Sequence, residues 1–200
     1  MSWVEVTDHS GASEGALGQF IAPALDAVPA RLASRLGRCQ ILLLPRLADP
    51  EATSQWTATG SGLEVEVAVG GADPHDLALE ALLCLGQALW ESTTPEERAA
   101  WLKLLDAEMR ENVAGEIDEE ALEEKRWLLG SRTLARSPRR LLRYAGVCFA
   151  STLAEYIHAL WHDVTVRSGP EHLPAEWLRR RLELFERWFP PPAGRRLFAG

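Results

Sequence analysis

The segment "FASTLAEYIHALWHDV" (149–164) places Glu155, His158 and His162 three and four residues apart. On a helix these three side chains share one face. A carboxylate and two imidazoles so arranged form a donor set for a divalent transition metal. A metal-dependent hydrolase could be built on it, with His75 or Glu80 contributed by another helix. The same spacing also describes a solvated face, because Phe149, Leu153, Ile157, Leu160 and Val164 form the opposite, apolar stripe. Toward the start of this helix Tyr144, Val147, Cys148, Ser151 and Ala154 are small or apolar, which implies burial on both sides. Structural hydrogen bonding of Glu155 and His158 toward a polar line on a neighbouring helix is therefore a third reading. A ferritin-like di-iron centre is excluded, since no second E-x-x-H occurs.

That polar line lies in "ALLCLGQALW" (81–90) and its flanks. Leu79, Leu82, Leu85, Gly86, Leu89 and Trp90 cover a wide apolar arc, and Glu80, Cys84, Gln87 and Glu91 fall on the remainder. Polar groups on a largely buried helix need partners, because one left unsatisfied costs about 1–3 kcal/mol. Either the line meets such partners or it is the wet side of the helix.

Other chemistry is absent or weak. "GSG" and "VGGAD" lack the lysine and spacing of a phosphate loop. Ser10, Ser13, Ser61 and Ser168 have no G-x-S-x-G context. "DEEALEEK" reads as a solvated acidic face rather than a calcium loop. Cys39, Cys84 and Cys148 stand singly in apolar runs, so neither a zinc ribbon nor a disulfide framework is indicated. Six tryptophans (Trp90, Trp101, Trp127, Trp161, Trp177, Trp188) occupy apolar helical positions and read as core or interface anchors. Trp56, in "SQWTATG", reads as an exposed turn residue.

Composition sets the class. Over 200 residues the net charge is −8, the pI is near 5.2 and hydrophobic residues make up 46%. These are the values of an ordinary globular chain, and they exclude a general nucleic-acid binder. The basic clusters "SPRRLLR" (138–144), "RRR" (179–181) and "GRR" (194–196) read as solvated helix faces. The first residues lack the basic and apolar regions of a signal peptide, no run is long enough for a membrane span, and the expected location is cytoplasmic.

The elements that must position these residues follow from periodicity. Residues 1–15 are polar and Gly/Ser-rich and read as a flexible arm. "LGQFIAPALDAVPARLASRLG" is helical in spacing but broken by Pro23 and Pro29. "CQILLLP" (39–45) reads as a strand. "GLEVEVAV" (62–69) alternates apolar with acidic residues and predicts a half-exposed strand at a sheet edge. An Asp73–Pro74 start predicts a helix over 74–91, and a Thr94/Glu97 capping box predicts the next. A charged helix in "EIDEEALEEKRWLL", a long one over 139–164 and a last one before Pro190 complete the chain. The predicted fold is α+β and predominantly helical, a short sheet of two or three strands followed by about five helices, in a single domain over 16–200.

With these elements placed, "ALLCLGQALW" resembles the active-site helix of zincin metallopeptidases, whose core reads H-E-x-G-H between apolar flanks. Aligned on Gly86, Leu83 and Gln87 stand where the two histidine ligands would be and Cys84 stands at the catalytic glutamate. "FASTLAEYIHAL" resembles the later helix of the glutamate-zincin branch, which includes lethal-factor and Mlc-titration-factor-like peptidases. There a segment similar to "FAEAFA-Y" supplies the third ligand, and Glu155 is taken as the matching position. The resemblance covers roughly residues 16–164. It implies a zincin-like scaffold whose catalytic motif is lost, with no catalytic residue, no metal and no cofactor. The implied function is that of a non-catalytic pseudo-metallopeptidase binding another protein or acting as a structural or regulatory subunit, through the old cleft between strand 63–69 and helix 74–91. The alternative is a metal-dependent hydrolase or peptidase with zinc at Glu155, His158 and His162, and Glu80, His158 and His162 as its polar cluster.

Overall fold

The computed structural model describes residues 2–11, 17–60, 62–70, 72–130, 138–162 and 169–198. Ser13, Ser61, Val164, Ser168 and residues 12–15 of the expected arm lie outside the described residues.

The sheet has four strands: β1 (Val4–Asp8), β2 (Arg38–Leu44), β3 (Ser54–Thr59) and β4 (Gly62–Ala68). Their order is β1-β2-β4-β3, with β3 alone antiparallel. Two of these strands depart from the expected two or three. Residues 4–8 are not a loose arm, because Val4 and Val6 pack against the core while the backbone pairs along β2 from Val4↔Cys39 to Asp8↔Leu43. The "SQWTAT" stretch is likewise a strand rather than a turn, and its Trp56 is half-buried against the core. β3 therefore takes the edge, and β4 is interior. Leu63, Val65 and Val67 of β4 are buried, while Glu64 and Glu66 are half-covered, with the Gln55 amide of β3 donating to Glu66. The alternating pattern was correct for the two faces of β4 but carries no information on what lies beside it.

Between β1 and β2 the chain forms a π-helical turn (Leu17–Ile21) and two short helices, α1 (Ala22–Asp26) and α2 (Ala30–Leu36). Pro23 sits in the first turn of α1 and Pro29 at the N-cap of α2, so the prolines set the break. Five helices follow the sheet: α3 (Pro74–Glu91), α4 (Pro95–Arg110), α5 (Glu119–Gly130), α6 (Pro138–Trp161) and α7 (Ala175–Trp188). The Asp73 carboxylate accepts from the His75 N–H at 2.8 Å, and the Thr94/Glu97 capping box is complete. The architecture is thus α+β and predominantly helical, and no helix among the described residues is long and apolar enough to cross a membrane.

α3 lies on the sheet, and α6 packs across it. The crossing rests on Gly86: a Cβ there would stand 2.6 Å from the Cα of Ala150, so only glycine admits α6 this close. Behind the crossing Trp101, Phe149, Phe185 and Trp188 form an aromatic cluster, with the Trp101 indole donating to the Ala145 carbonyl at 2.9 Å. Of the expected core tryptophans, Trp127 is the exception at 58% exposed, and the Arg140 guanidinium stacks on it instead. Trp127 stands on the outer side of α5, whose inner side carries Ala121, Lys125 and Leu128.

Candidate functional site

A cluster of fully buried charges lies at the centre of the helical half. Glu108 (α4), Glu116, Lys125 (α5) and Arg181 (α7) are each exposed by 1% or less. The Arg181 guanidinium donates to both carboxylates, to Glu108 Oε1 and Oε2 at 2.8 and 2.5 Å and to Glu116 Oε2 and Oε1 at 2.8 and 2.9 Å. The Lys125 ammonium donates to Glu116 Oε1 at 2.8 Å and to the Gly115 carbonyl at 2.9 Å, and the Tyr144 hydroxyl (α6) donates to Glu116 Oε1 at 2.5 Å. Two acids face two bases, so the cluster is neutral as a whole, and the bidentate geometry suits an arginine. Burial opposes ionisation of Glu116, but Arg181 and Lys125 outweigh it and hold the carboxyl down at about 2. Arg181 and Lys125 were expected on solvated faces. They are buried because their helices turn these positions toward Glu108 and Glu116, which a run of like-charged residues does not reveal.

This cluster fixes the segment carrying Glu116. Residue 116 pairs with His172 in an isolated parallel bridge, and the backbones exchange Glu116 N–H to Glu171 O and Leu173 N–H to Glu116 O, both at 3.0 Å. Gly115 makes this approach possible, since a Cβ there would meet the His172 carbonyl oxygen at 2.0 Å. The paired segments form one wall of a cavity of about 520 Å³, whose other walls are α3 and α6. Its apolar lining is Leu79, Leu83, Ile117, Ala154, Leu173 and Leu178, and its polar lining includes His75, Glu116, Asp118, Ser151, Glu155 and His158. A second cavity of about 350 Å³ adjoins it, sharing Leu83 and Asp118, and is lined by Glu51, Ser54, Glu80, Gln87, Glu120 and Ala150. No lysine or arginine lines either cavity among the described residues. The cleft therefore runs along the α3/α6 crossing toward the edge strand β3, rather than between β4 and α3.

Its carboxylates are unevenly placed. Asp118 caps α5, accepting from the Ala121 N–H at 2.7 Å. Burial and the neighbouring Glu116 charge still push its pKa up, against the hydrogen bonds from Ala121 and Ser151. Glu120 is raised too, by burial and then by Asp118. Both are carboxylates that a nearby cation would relieve.

The motif positions divide between the two cavities. Leu83 is half-buried on their shared wall, and Gln87 is exposed in the second. Cys84 is buried toward β3, and burial pushes its thiol up to about 11, so it is neither thiolate nor base near neutrality. Glu80 accepts a 2.6 Å hydrogen bond from the Ser54 hydroxyl of β3. Glu155 lies in the first cavity beside His158, its Oε2 3.7 Å from His158 Nδ1. Gln87 and Glu155 line different cavities. The contacts His75–His158 and Gly86–Ala150 put the helices antiparallel, which separates Gln87 and Glu155 along the crossing by about two turns, ~10 Å.

Near the start of α3 the structure joins residues the sequence set on separate helices. His75 Nε2 and His158 Nε2 are 3.0 Å apart, and His162 stacks on His158 with ring centres at 5.4 Å. Burial, then the proximity of His158, lowers the pKa of His75. As the side chains stand, no group of three or more His, Cys, Asp or Glu among the described residues could hold a metal ion. Asp118, Glu120 and Ser151 were missed as site residues. The aspartate three residues before Ala121 at a helix start was the available signal for Asp118, and the spacing of Phe149, Ala150, Ala154 and Tyr156 was the signal for Ser151; nothing local marks Glu120.

No protein-family profile matches this chain, and neither any curated protein nor any solved structure matches it.

Proposed function

We propose that this chain is a non-catalytic, zincin-like binding protein that holds a basic, partly apolar segment of a partner protein in the cleft along the α3/α6 crossing. The observation that carries this reading is the lining of the cleft. Carboxylates of Glu51, Glu80, Asp118, Glu119, Glu120 and Glu155 surround apolar walls with no described lysine or arginine among them. A lysine or arginine side chain flanked by apolar residues satisfies both features, and it lowers the cost of ionising Asp118 and Glu120.

The zincin likeness fits this reading with one adjustment. Placed on "FAEAFA-Y", the residues Phe149, Ala150, Ala154 and Tyr156 coincide, and the acidic position falls on Ser151 rather than Glu155. Ser151 shares a cavity with Leu83, one turn nearer the crossing than Glu155. The three ligand positions would then be Leu83, Gln87 and Ser151, none of which holds a metal well, and Cys84 replaces the base.

The test is calorimetric titration with a decapeptide alternating arginine and leucine, beside the same peptide with glutamate for arginine. Saturable binding of the basic peptide alone, weakened by salt, is expected. Asp118→Asn and Glu120→Gln should each weaken it by about 1 kcal/mol, roughly fivefold. Equal binding by the acidic peptide, or by the double variant, would overturn the reading. Cleavage of the peptide would favour the hydrolase alternative instead.

A further inference from the structure

We propose that His75, His158 and His162 form a site for a divalent transition metal of the zinc, copper or nickel type, with Glu155 positioning His158 from behind. The site lies at the His75 end of the same cavity, away from Asp118 and Glu120, whose variants test the peptide reading.

Three imidazoles bonded to a tetrahedral zinc at about 2.0 Å place their nitrogens about 3.3 Å apart and their ring centres about 5 Å apart. Here the ring centres of His75–His158, His158–His162 and His75–His162 are 4.9, 5.4 and 5.9 Å apart. The two Nε2 atoms of His75 and His158 approach to 3.0 Å. The rings of His158 and His162 lie nearly parallel, at 14°, so a metal must turn the His162 ring out of its present contacts to bring in the third nitrogen. The backbone already supports this, because His158 and His162 are one turn apart at the end of α6 and His75 is anchored in the first turn of α3.

Each ring nitrogen of His158 has a distinct task. Nε2 points at His75, into the space a metal would take. Nδ1 is buried with no hydrogen-bond partner, and Glu155 Oε2 is 3.7 Å away, just beyond reach. Without a metal, one imidazole donates Nε2–H to the other, and only the form in which His158 accepts carries its proton on Nδ1. A metal on Nε2 places the proton on Nδ1, facing the Glu155 carboxylate, which is the carboxylate–histidine–metal arrangement that orients metal-bound imidazoles. Glu155 is thus a positioning residue and not a ligand. Phe20 and Trp161 pack against the His75 ring and would exclude water from one side. Imidazole nitrogens select zinc, copper and nickel over magnesium or calcium.

The experiment is titration of the metal-free protein with Co²⁺, read by visible absorption, followed by displacement with Zn²⁺. A single equivalent should bind with a low-coordinate cobalt spectrum, and Zn²⁺ should raise Tm while Mg²⁺ leaves it unchanged. His75→Ala, His158→Ala and His162→Ala should each weaken binding at least tenfold. His162 is exposed, so its variant keeps the fold and guards against misfolding as the cause. Glu155→Gln should weaken binding roughly tenfold or more and change the pH dependence of the cobalt spectrum. Absence of Co²⁺ and Zn²⁺ binding at micromolar concentrations would overturn the proposal. So would binding that survives in the His75→Ala/His162→Ala double variant. Loss of basic-peptide binding leaves this result untouched, so the two proposals fail separately.

Discussion

Arg181 answers two glutamates at once, so its removal strands two buried carboxylates. Arg181→Met leaves Glu108 and Glu116, both exposed by 1% or less, with only Lys125 between them. The expected loss is about 3–5 kcal/mol in urea denaturation. Adding Glu108→Gln to that variant should recover part of it, because one uncompensated charge is gone. If Arg181→Met costs less than about 1 kcal/mol, the cluster is not the closed unit described. Glu116 also sets an acid limit. Its folded pKa of about 2 lies below its ordinary value, so its stabilisation is full above about pH 5 and lost as pH falls toward 2. Asp118 and Glu120 have the opposite sign. Their raised values mean that stability falls as pH rises through the carboxylate range, so Asp118→Asn, which keeps the α5 cap, should be neutral or stabilising while weakening the basic peptide.

The helices were readable in the chain, and the reason is local. A cap and a proline start α3 and α4, and Pro190 follows closely on the end of α7, so boundaries are set by neighbouring residues. Gly86 stood in the sequence only as part of the apolar arc and as the anchor of the motif alignment, and the close approach of α6 appears only in the fold; Gly86→Ala should cost about 1–3 kcal/mol as α6 is pushed off Ala150, against little change for the exposed Gln87→Ala. An unchanged midpoint for Gly86→Ala would mean that the crossing is looser than drawn. What was illegible is everything set by partners distant in sequence. β1 was hidden because a five-residue strand in a polar stretch has too little alternation to register. β4 was taken for an edge because nothing in its own residues announces β3. The histidine cluster was half legible: one helix showed His158 and His162, the other left His75 and Glu80 as alternatives, and the crossing brings His75 to His158.

At the scale of the molecule, the zincin likeness can be tested by rebuilding what it lacks. Leu83→His, Cys84→Glu and Gln87→His together with Ser151→Glu should create a second zinc site on the cleft wall. The same triple change relying on Glu155 should not, because Glu155 lies about two turns from Gln87. Carried out in a His162→Ala background, zinc-dependent elevation of Tm reports the new site alone. A response equal with and without Ser151→Glu would show that α6 does not supply the third donor from that turn. Burying the added glutamate without metal should make the metal-free variant less stable than its parent.

The buried cluster also dictates an order of assembly. Arg181 follows Glu116 by 65 residues and Glu108 by 73, so a growing chain makes both acids long before their counter-charge exists. Until α7 docks, closing the helical half would enclose two carboxylates with a single lysine. The earlier helices must therefore stay open to water, or hold their glutamates protonated, until the last helix arrives. Folding should then be late-committed, with α7 docking as the step that seals the interior. A chain ending before Arg181 should remain an expanded intermediate rather than a smaller native protein, and mild acid should let that intermediate compact.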